Sequence, residues 1–210
     1  SQGMNVAVCD WHCALMSVPR WLGVQPNQMI LKEGYLRPDI ARLALWRKML
    51  GPRHRPRIGI SWSGHPSHQN DKNRSIPFDH FRELLTPEAD FFILQKEFRS
   101  TDVNALDGMF GVTIPQINDY QDTSCLVALM DLIITVDTSL AHLAGAMGKT
   151  AWILLPWVPD WRWQLERVDC DWYASVVLFR QPKGQDWANV LKIVRSQLLD
   201  LFVESTPQSE

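Results

Sequence analysis

The sequence predicts an α/β protein built on a mostly parallel, doubly wound sheet. Two observations carry that prediction. From residue 57 onward, short β-branched apolar runs alternate with segments of helical periodicity, the pattern of repeated βαβ units. The sharpest of them is Asp131-Leu-Ile-Ile-Thr-Val-Asp-Thr-Ser-Leu-Ala-His-Leu-Ala-Gly-Ala-Met-Gly148, an apolar run that ends in a polar turn and passes straight into a helix. Such a run suits a parallel strand covered on both faces.

Taken in order, the first 56 residues fit that sheet poorly. Ser1-Gln-Gly before Met4 reads as a cloning remnant, Val6-Ala-Val-Cys9 as a lone short strand, and residues 11–22 as an apolar segment interrupted by Pro19. Residues 38–50 predict an amphipathic helix with Pro38 at its start, and Gly51-Pro-Arg-His-Arg-Pro-Arg57 breaks the chain before the sheet. Strands are expected at 58–62, 91–94, 111–114, 132–136, 151–155 and 176–179, in spatial order 3-2-1-4-5-6 if the crossovers are right-handed. Helices are expected at 78–85, 100–108, 123–130, 139–147 and 186–202, with Asp122 or Thr123 capping the third. In the key unit Asp137, Thr138 or Ser139 supplies the cap, Leu140, Leu143, Ala144 and Met147 the buried stripe, and Gly148 the stop. A lone strand is no domain. Residues 1–56 therefore read as the remnant of a preceding domain plus a linker helix, 57–204 as one domain, and 205–210 as a disordered tail.

A formal charge of −2 gives no global attraction to nucleic acid or anionic lipid. No apolar run is long enough to cross a bilayer, and the four cysteines, at 9, 13, 125 and 170, form no pairing framework. A reduced, cytoplasmic setting is the expectation. Ten tryptophans are many for this length, and five of them lie between Trp152 and Trp172.

In open α/β sheets ligands sit outside the strand ends, and a helix that begins there offers free N–H groups and partial positive charge to a phosphate. Asp137, Thr138, Ser139 and the backbone at Leu140 stand at that place, with His142 one turn further in. The loop from Ser61 to Pro77 follows the first strand; Ser61, Ser63 and Gly64 offer hydroxyls and an approachable backbone, and Lys72 and Arg74 the charge to neutralise a diphosphate. The plain alternative is a solvated loop with its charges paired to Asp71. Gln95, Lys96 and Glu97 end the second strand, where a carboxylate commonly holds ribose hydroxyls. Asp160-Trp-Arg-Trp163 offers either a stacking surface for a sugar or base, or an aromatic mini-core holding down a loop. Cys9-Asp-Trp-His-Cys13 and His65-Pro-Ser-His68 match no zinc spacing, so no metal site is expected. Ser139 lacks the elbow of a hydrolase nucleophile.

Val136-Asp-Thr-Ser-Leu-Ala-His-Leu-Ala-Gly-Ala-Met-Gly148 resembles the Asp-Thr/Ser-Gly/Ser-x-x-His-x-x-x-Ala motif of the heptosyltransferase-like glycosyltransferases of family nine. The branch often fused to tetratricopeptide repeats also has counterparts of Trp62-Ser-Gly-His-Pro-Ser-His68, Asn73-Arg-Ser-Ile-Pro77, Leu94-Gln-Lys-Glu97 and Pro159-Asp-Trp-Arg-Trp163, so the similarity runs from about Asp10 to Trp187. The resemblance implies a GT-B fold of two Rossmann-like domains, of which this chain is the C-terminal, donor-binding half. It implies that Asp137, Thr138, Ser139 and His142 contact the diphosphate and sugar of a nucleotide diphosphate sugar. By the same resemblance Ser63, Gly64 and Arg74 hold the phosphates, and Gln95 to Glu97 lie beside the nucleoside. Many members have glycine where Ser139 stands, which narrows the space for a bulky sugar here. The general base of inverting enzymes comes from the missing N-terminal half, so the catalytic residues are unknown and the chain alone is expected to bind donor without turnover. The implied partners are the nucleotide diphosphate sugar as substrate, with no cofactor, and the absent Rossmann half or a partner subunit. The rival reading is a non-catalytic nucleotide-sugar-binding or regulatory module docking on a partner; a nucleotide-sugar epimerase or hydrolase is a third.

Overall fold

The computed structural model describes residues 10–25, 33–106, 109, 111–184 and 186–204. The strand expected at Val6 to Cys9 and the tail at 205–210 lie outside the described residues. Six parallel strands, β1 (Arg57–Ser61), β2 (Asp90–Ile93), β3 (Val112–Thr113), β4 (Leu132–Val136), β5 (Ala151–Leu155) and β6 (Val176–Arg180), form one sheet in the order β3-β2-β1-β4-β5-β6. The fold is Rossmann-like α/β, in the strand order the sequence predicts. Ile58 pairs with Phe91 on one side and Leu132 on the other. Strand β3 is only two residues long, which suits an edge position.

Eight α-helices are described: α1 (Val18–Trp21), α2 (Ile40–Leu50), α3 (Asp71–Arg74), α4 (Phe78–Phe81), α5 (Ser100–Leu106), α6 (Tyr120–Leu129), α7 (Ser139–Ala146) and α8 (Trp187–Glu204). The predicted helix at 78–85 is a single α-turn that tightens into 3-10 geometry at Arg82–Leu84. The loop after β1 contains a helical turn, α3, where periodicity predicted none. Among the described residues no helix is long and apolar enough to cross a membrane.

Alternating side chains on the strands feed two cores. Ile58, Ile60, Ile134, Val136, Trp152 and Leu154 face α4 and α8, while Phe92, Leu94, Ile133, Ile153 and Leu155 face α6 and α7. With helices on both sides of the sheet, the central strands β1, β4 and β5 are buried throughout.

Two expectations are corrected. The cap of α6 is Asp119, whose carboxylate accepts the Asp122 N–H at 3.0 Å; Asp122 is buried instead and accepts the Trp46 indole N–H at 3.0 Å. Helix α2 begins at Ile40 with Asp39 as its cap, and it is less amphipathic than its pattern suggests: Trp46 is buried against α6, whereas Ile40, Leu45 and Met49 stay exposed. Even so, the segment ahead of the sheet is closely joined to it. The N–H groups of Tyr35 and Leu36 both donate to the Ala146 carbonyl, at 2.7 and 3.0 Å, closing the C-terminal end of α7. Gly34 lies so near Met147 and Gly148 that a Cβ there would fall 2.1 Å from the Met147 carbonyl carbon.

Candidate functional site

In this strand order the winding reverses between β1 and β4, and the crevice outside such a switch point is where ligands bind in open sheets. A crevice of ≈ 350 Å³ opens at that position. Ser61, Ser63 and Gly64 reach it from the end of β1, Gln95, Lys96 and Glu97 from the end of β2, and Thr138, Ser139 and Leu140 from the start of α7. The sequence therefore anticipated three of its walls. Thr138 is the N-cap of α7, yet its side chain bonds Thr135 Oγ1 at 3.3 Å rather than the helix backbone. Ser139 and Leu140, in the first turn of α7 where N–H groups have no intrahelical partner, line this crevice.

The residues brought together divide into those facing the crevice and those holding its walls. Gln95 belongs to the second group. Its Oε1 accepts the N–H groups of Trp62 and Ser63, at 3.1 and 3.3 Å, and its Nε2 donates to Ser63 Oγ and the Glu97 carbonyl, at 3.2 and 2.9 Å. The amide is thus consumed in joining the β1 and β2 loops. Lys96 donates to the Asn118 carbonyl at 3.0 Å, and Glu97 stands exposed at the rim, 3.4 Å from His65 Nε2.

Arg74 is outside the crevice wall, behind Gly64. Its Nη1 donates to the Asp137 carbonyl at 2.7 Å, and its Nε lies 3.5 Å from Asp71 Oδ1. Asp71 also pairs with Arg99 and accepts the Ser75 hydroxyl at 2.9 Å. Arg74 thereby ties the β1 loop to the turn before α7. Gly64 has no room for a side chain, because a Cβ would come 2.3 Å from Arg74 Nη2. Lys72, read from sequence as a second phosphate-neutralising charge, lies elsewhere: it lines a separate depression with Trp157 and Gln181.

His142 does not line the crevice. Its ring stacks on Trp163 with centroids 5.0 Å apart, and its Nδ1 lies 3.2 Å from the Tyr173 hydroxyl. Burial pushes its pKa below the ordinary histidine value, although the nearby Asp137 carboxylate works against this. Burial thus favours the neutral ring. The Asp160–Trp163 segment forms the aromatic mini-core that was one of its two sequence readings. Asp160 caps a 3-10 turn, Trp163 is buried, and the Arg162 guanidinium lies 4.6 Å over the exposed Trp161 ring.

The fourth wall of the crevice was missed. It comes from Ile117, Asp119, Tyr120 and Thr123 around the start of α6. The Asp119 carboxylate holds the Arg42 guanidinium at 2.7 and 2.8 Å, which fixes α2 beside this wall. The available signal was Asp119 three residues ahead of Asp122, a cap spacing that the Asp122 or Thr123 assignment placed too late.

No family model matches the chain. FlbA of Caulobacter vibrioides is 28% identical over 179 residues, which make up 80% of this chain and 29% of that protein. Among solved structures, E. coli ADP-heptose LPS heptosyltransferase II is similar with a TM-score of 0.56 at 16% identity, over 80% of this chain and 53% of that one. A sucrose-phosphate synthase from Thermosynechococcus elongatus is similar with a TM-score of 0.48 at 14% identity, over 80% of this chain and 41% of that one. The likeness is one of fold: a six-stranded, all-parallel Rossmann-like domain similar to part of the heptosyltransferase II chain. The chain spans about half the length of the first of these solved structures and less than a third of the curated relative.

Proposed function

We propose that the chain is the donor-binding half of a heptosyltransferase-like glycosyltransferase of family nine, in the tetratricopeptide-associated branch. Residues 57–204 hold a nucleotide diphosphate sugar, whose sugar passes to an acceptor hydroxyl without a metal ion. The observation that carries this reading is the convergence at the switch point: hydroxyls and an open backbone from Ser61, Ser63 and Gly64, the start of α7 at Ser139 and Leu140, and an exposed carboxylate, Glu97, at the rim. Donors at a helix start suit the diphosphate, and a carboxylate across the crevice suits ribose hydroxyls. Charge builds on the leaving diphosphate during transfer, so donors fixed there lower the barrier more than contacts to the neutral sugar do.

The general base belongs to a second Rossmann half, supplied by sequence outside this chain or by a partner subunit. The chain alone is then a binder without turnover. The free thiols of Cys13, Cys125 and Cys170 support a reducing, cytoplasmic setting. Titration calorimetry with adenosine, uridine, guanosine and cytidine diphosphates tests the reading. Saturable binding of at least one is expected, weakened about three- to tenfold by Glu97→Gln, since that substitution removes a charge-assisted hydrogen bond. No binding by any of the four would refute it.

A further inference from the structure

The depression that takes Lys72 lies on the same rim of the sheet as the crevice but shares none of its lining residues. It encloses ≈ 410 Å³, within the range of about 300–1,000 Å³ usual for small-molecule sites. Trp157 and Val158 reach it from the loop after β5, Gln181 from the end of β6, and Lys72 from the turn of α3. We propose that this depression is a carbohydrate subsite that holds a neutral sugar ring of the acceptor. As an acceptor contact it rests on the donor-binding reading, and it names the acceptor class: a glycan.

The chemistry starts from Trp157, whose large ring stays 52% exposed at the mouth of a strand. An indole offers an apolar face, which covers the C–H face of a pyranose, and an N–H, which reaches a hydroxyl. The Trp157 backbone N–H donates to Gln181 Oε1 at 3.4 Å. A backbone N–H only donates, so this bond assigns the oxygen of the amide and leaves its nitrogen to donate elsewhere. Gln181 is held in turn, its own N–H donating to the Leu155 carbonyl at 2.8 Å. The Trp157 backbone and the Gln181 amide are thus fixed to each other at the ends of two paired strands, which lowers the ordering cost of binding.

Charge separates a sugar from an ion. Lys72 is the charged residue of the lining, a single flexible ammonium without a guanidinium beside it. Asp186 stands one residue before Trp187, which also lines the depression, and its carboxylate accepts the Ala188 N–H at the start of α8 at 3.1 Å. That carboxylate offsets the ammonium and occupies the helix start that an anion would otherwise use. No carboxylate lines the depression itself to hold a cation. One aromatic face flanked by two donors, Lys72 and Gln181, suits a hydroxyl-rich, uncharged ring.

The test titrates the wild-type chain, Trp157→Ala and Gln181→Glu by NMR with maltose, lactose and N,N′-diacetylchitobiose, and separately with the nucleoside diphosphates. Thermal melts confirm that each protein is folded. Trp157→Ala removes the ring, whereas Gln181→Glu keeps an oxygen for the Trp157 N–H and removes the donor. At least one disaccharide is expected to bind the wild type, and each variant to bind it about three- to tenfold more weakly, with diphosphate affinity unchanged. Failure of all three disaccharides to bind, or binding that either substitution leaves unchanged, overturns the subsite. A diphosphate affinity that falls together with disaccharide affinity also overturns it, because the depression would then belong to the donor site. A wild type that binds a disaccharide through Trp157 and no diphosphate refutes the donor-binding reading alone, and the glycan site stands without it.

Discussion

At the scale of single residues, Gln95 and His142 show how the same site residues divide between holding and contacting. Gln95→Ala leaves the Trp62 and Ser63 N–H groups without their acceptor in a buried setting. Each unpaired buried donor costs about 1–3 kcal/mol. A loss of roughly 2–6 kcal/mol, or at least about 4 °C in Tm for a chain of this size, is expected in thermal melts, together with weaker nucleotide binding because the β1 loop loosens. A Gln95→Ala protein with native Tm and weakened binding would instead make the amide a direct ligand group. For His142 the pH dependence is the diagnostic. Burial lowers its folded pKa, so the unfolded chain takes up the proton first as pH falls. The stability it contributes is complete above the unfolded value of about 6.5 and is lost as pH falls from there through the lower folded value. Tm should drop between pH 7.5 and 5.5, and the drop should be smaller in His142→Phe; equal slopes would show that another group governs it. The sequence located both residues but not these duties. Nothing in Gln95-Lys-Glu97 reveals that the amide turns back toward β1, and a histidine one turn into α7 has the same spacing whether it faces the crevice or Trp163.

At the scale of elements, α7 carries the densest constraints: its start opens on the crevice, its side stacks His142 on Trp163, and its end is closed by Tyr35 and Leu36. Gly145 marks the tightest contact along it. A Cβ there would lie 2.3 Å from the Tyr173 ring. Replacing a helical glycine with alanine normally stabilises by roughly 0.5–1 kcal/mol, whereas forcing extra volume into a packed core costs about 1–3 kcal/mol. Packing wins, so Gly145→Ala should lower stability in denaturant titration, by up to about 2.5 kcal/mol on the difference of those two ranges, and a more stable protein would contradict the contact. Strand order and most element positions were legible because buried parallel strands are nearly pure apolar runs and the helices between them are capped and punctuated. Less legible were elements decided by tertiary contact. Asp119 became the α6 cap because Asp122 was drawn inward by the Trp46 indole, a contact across 76 positions of sequence that no local pattern encodes. The turn of α3 is likewise anchored by Asp71 pairing with Arg99 from beyond β2.

At the scale of the whole molecule, the sequence placed a boundary at residue 57, where a Pro- and Arg-rich breaker precedes the first strand. The fold gives reason to look further upstream. Helix α2 covers α6 through Trp46, Leu43 and Leu50, and the clasp of Tyr35 and Leu36 on Ala146 precedes it. A protein trimmed to residues 33–204 should melt as cooperatively as the full chain, while one trimmed to 57–204 should melt well below it or aggregate, having lost Trp46 from the core and left Asp122 without its indole partner. Equal melting of the two would show α2 to be a passenger. The clasp also sets a rule for recombination. Gly34 meets Met147 and Gly148 backbone to backbone, with no side chain to adapt, so the seam is insensitive to most surface exchange and intolerant of any insertion within it. A chimera that grafts a different upstream half onto this one should therefore cross over ahead of Glu33. A graft joined at the more visible breaker near residue 57 would inherit the crevice with the back of α7 undone.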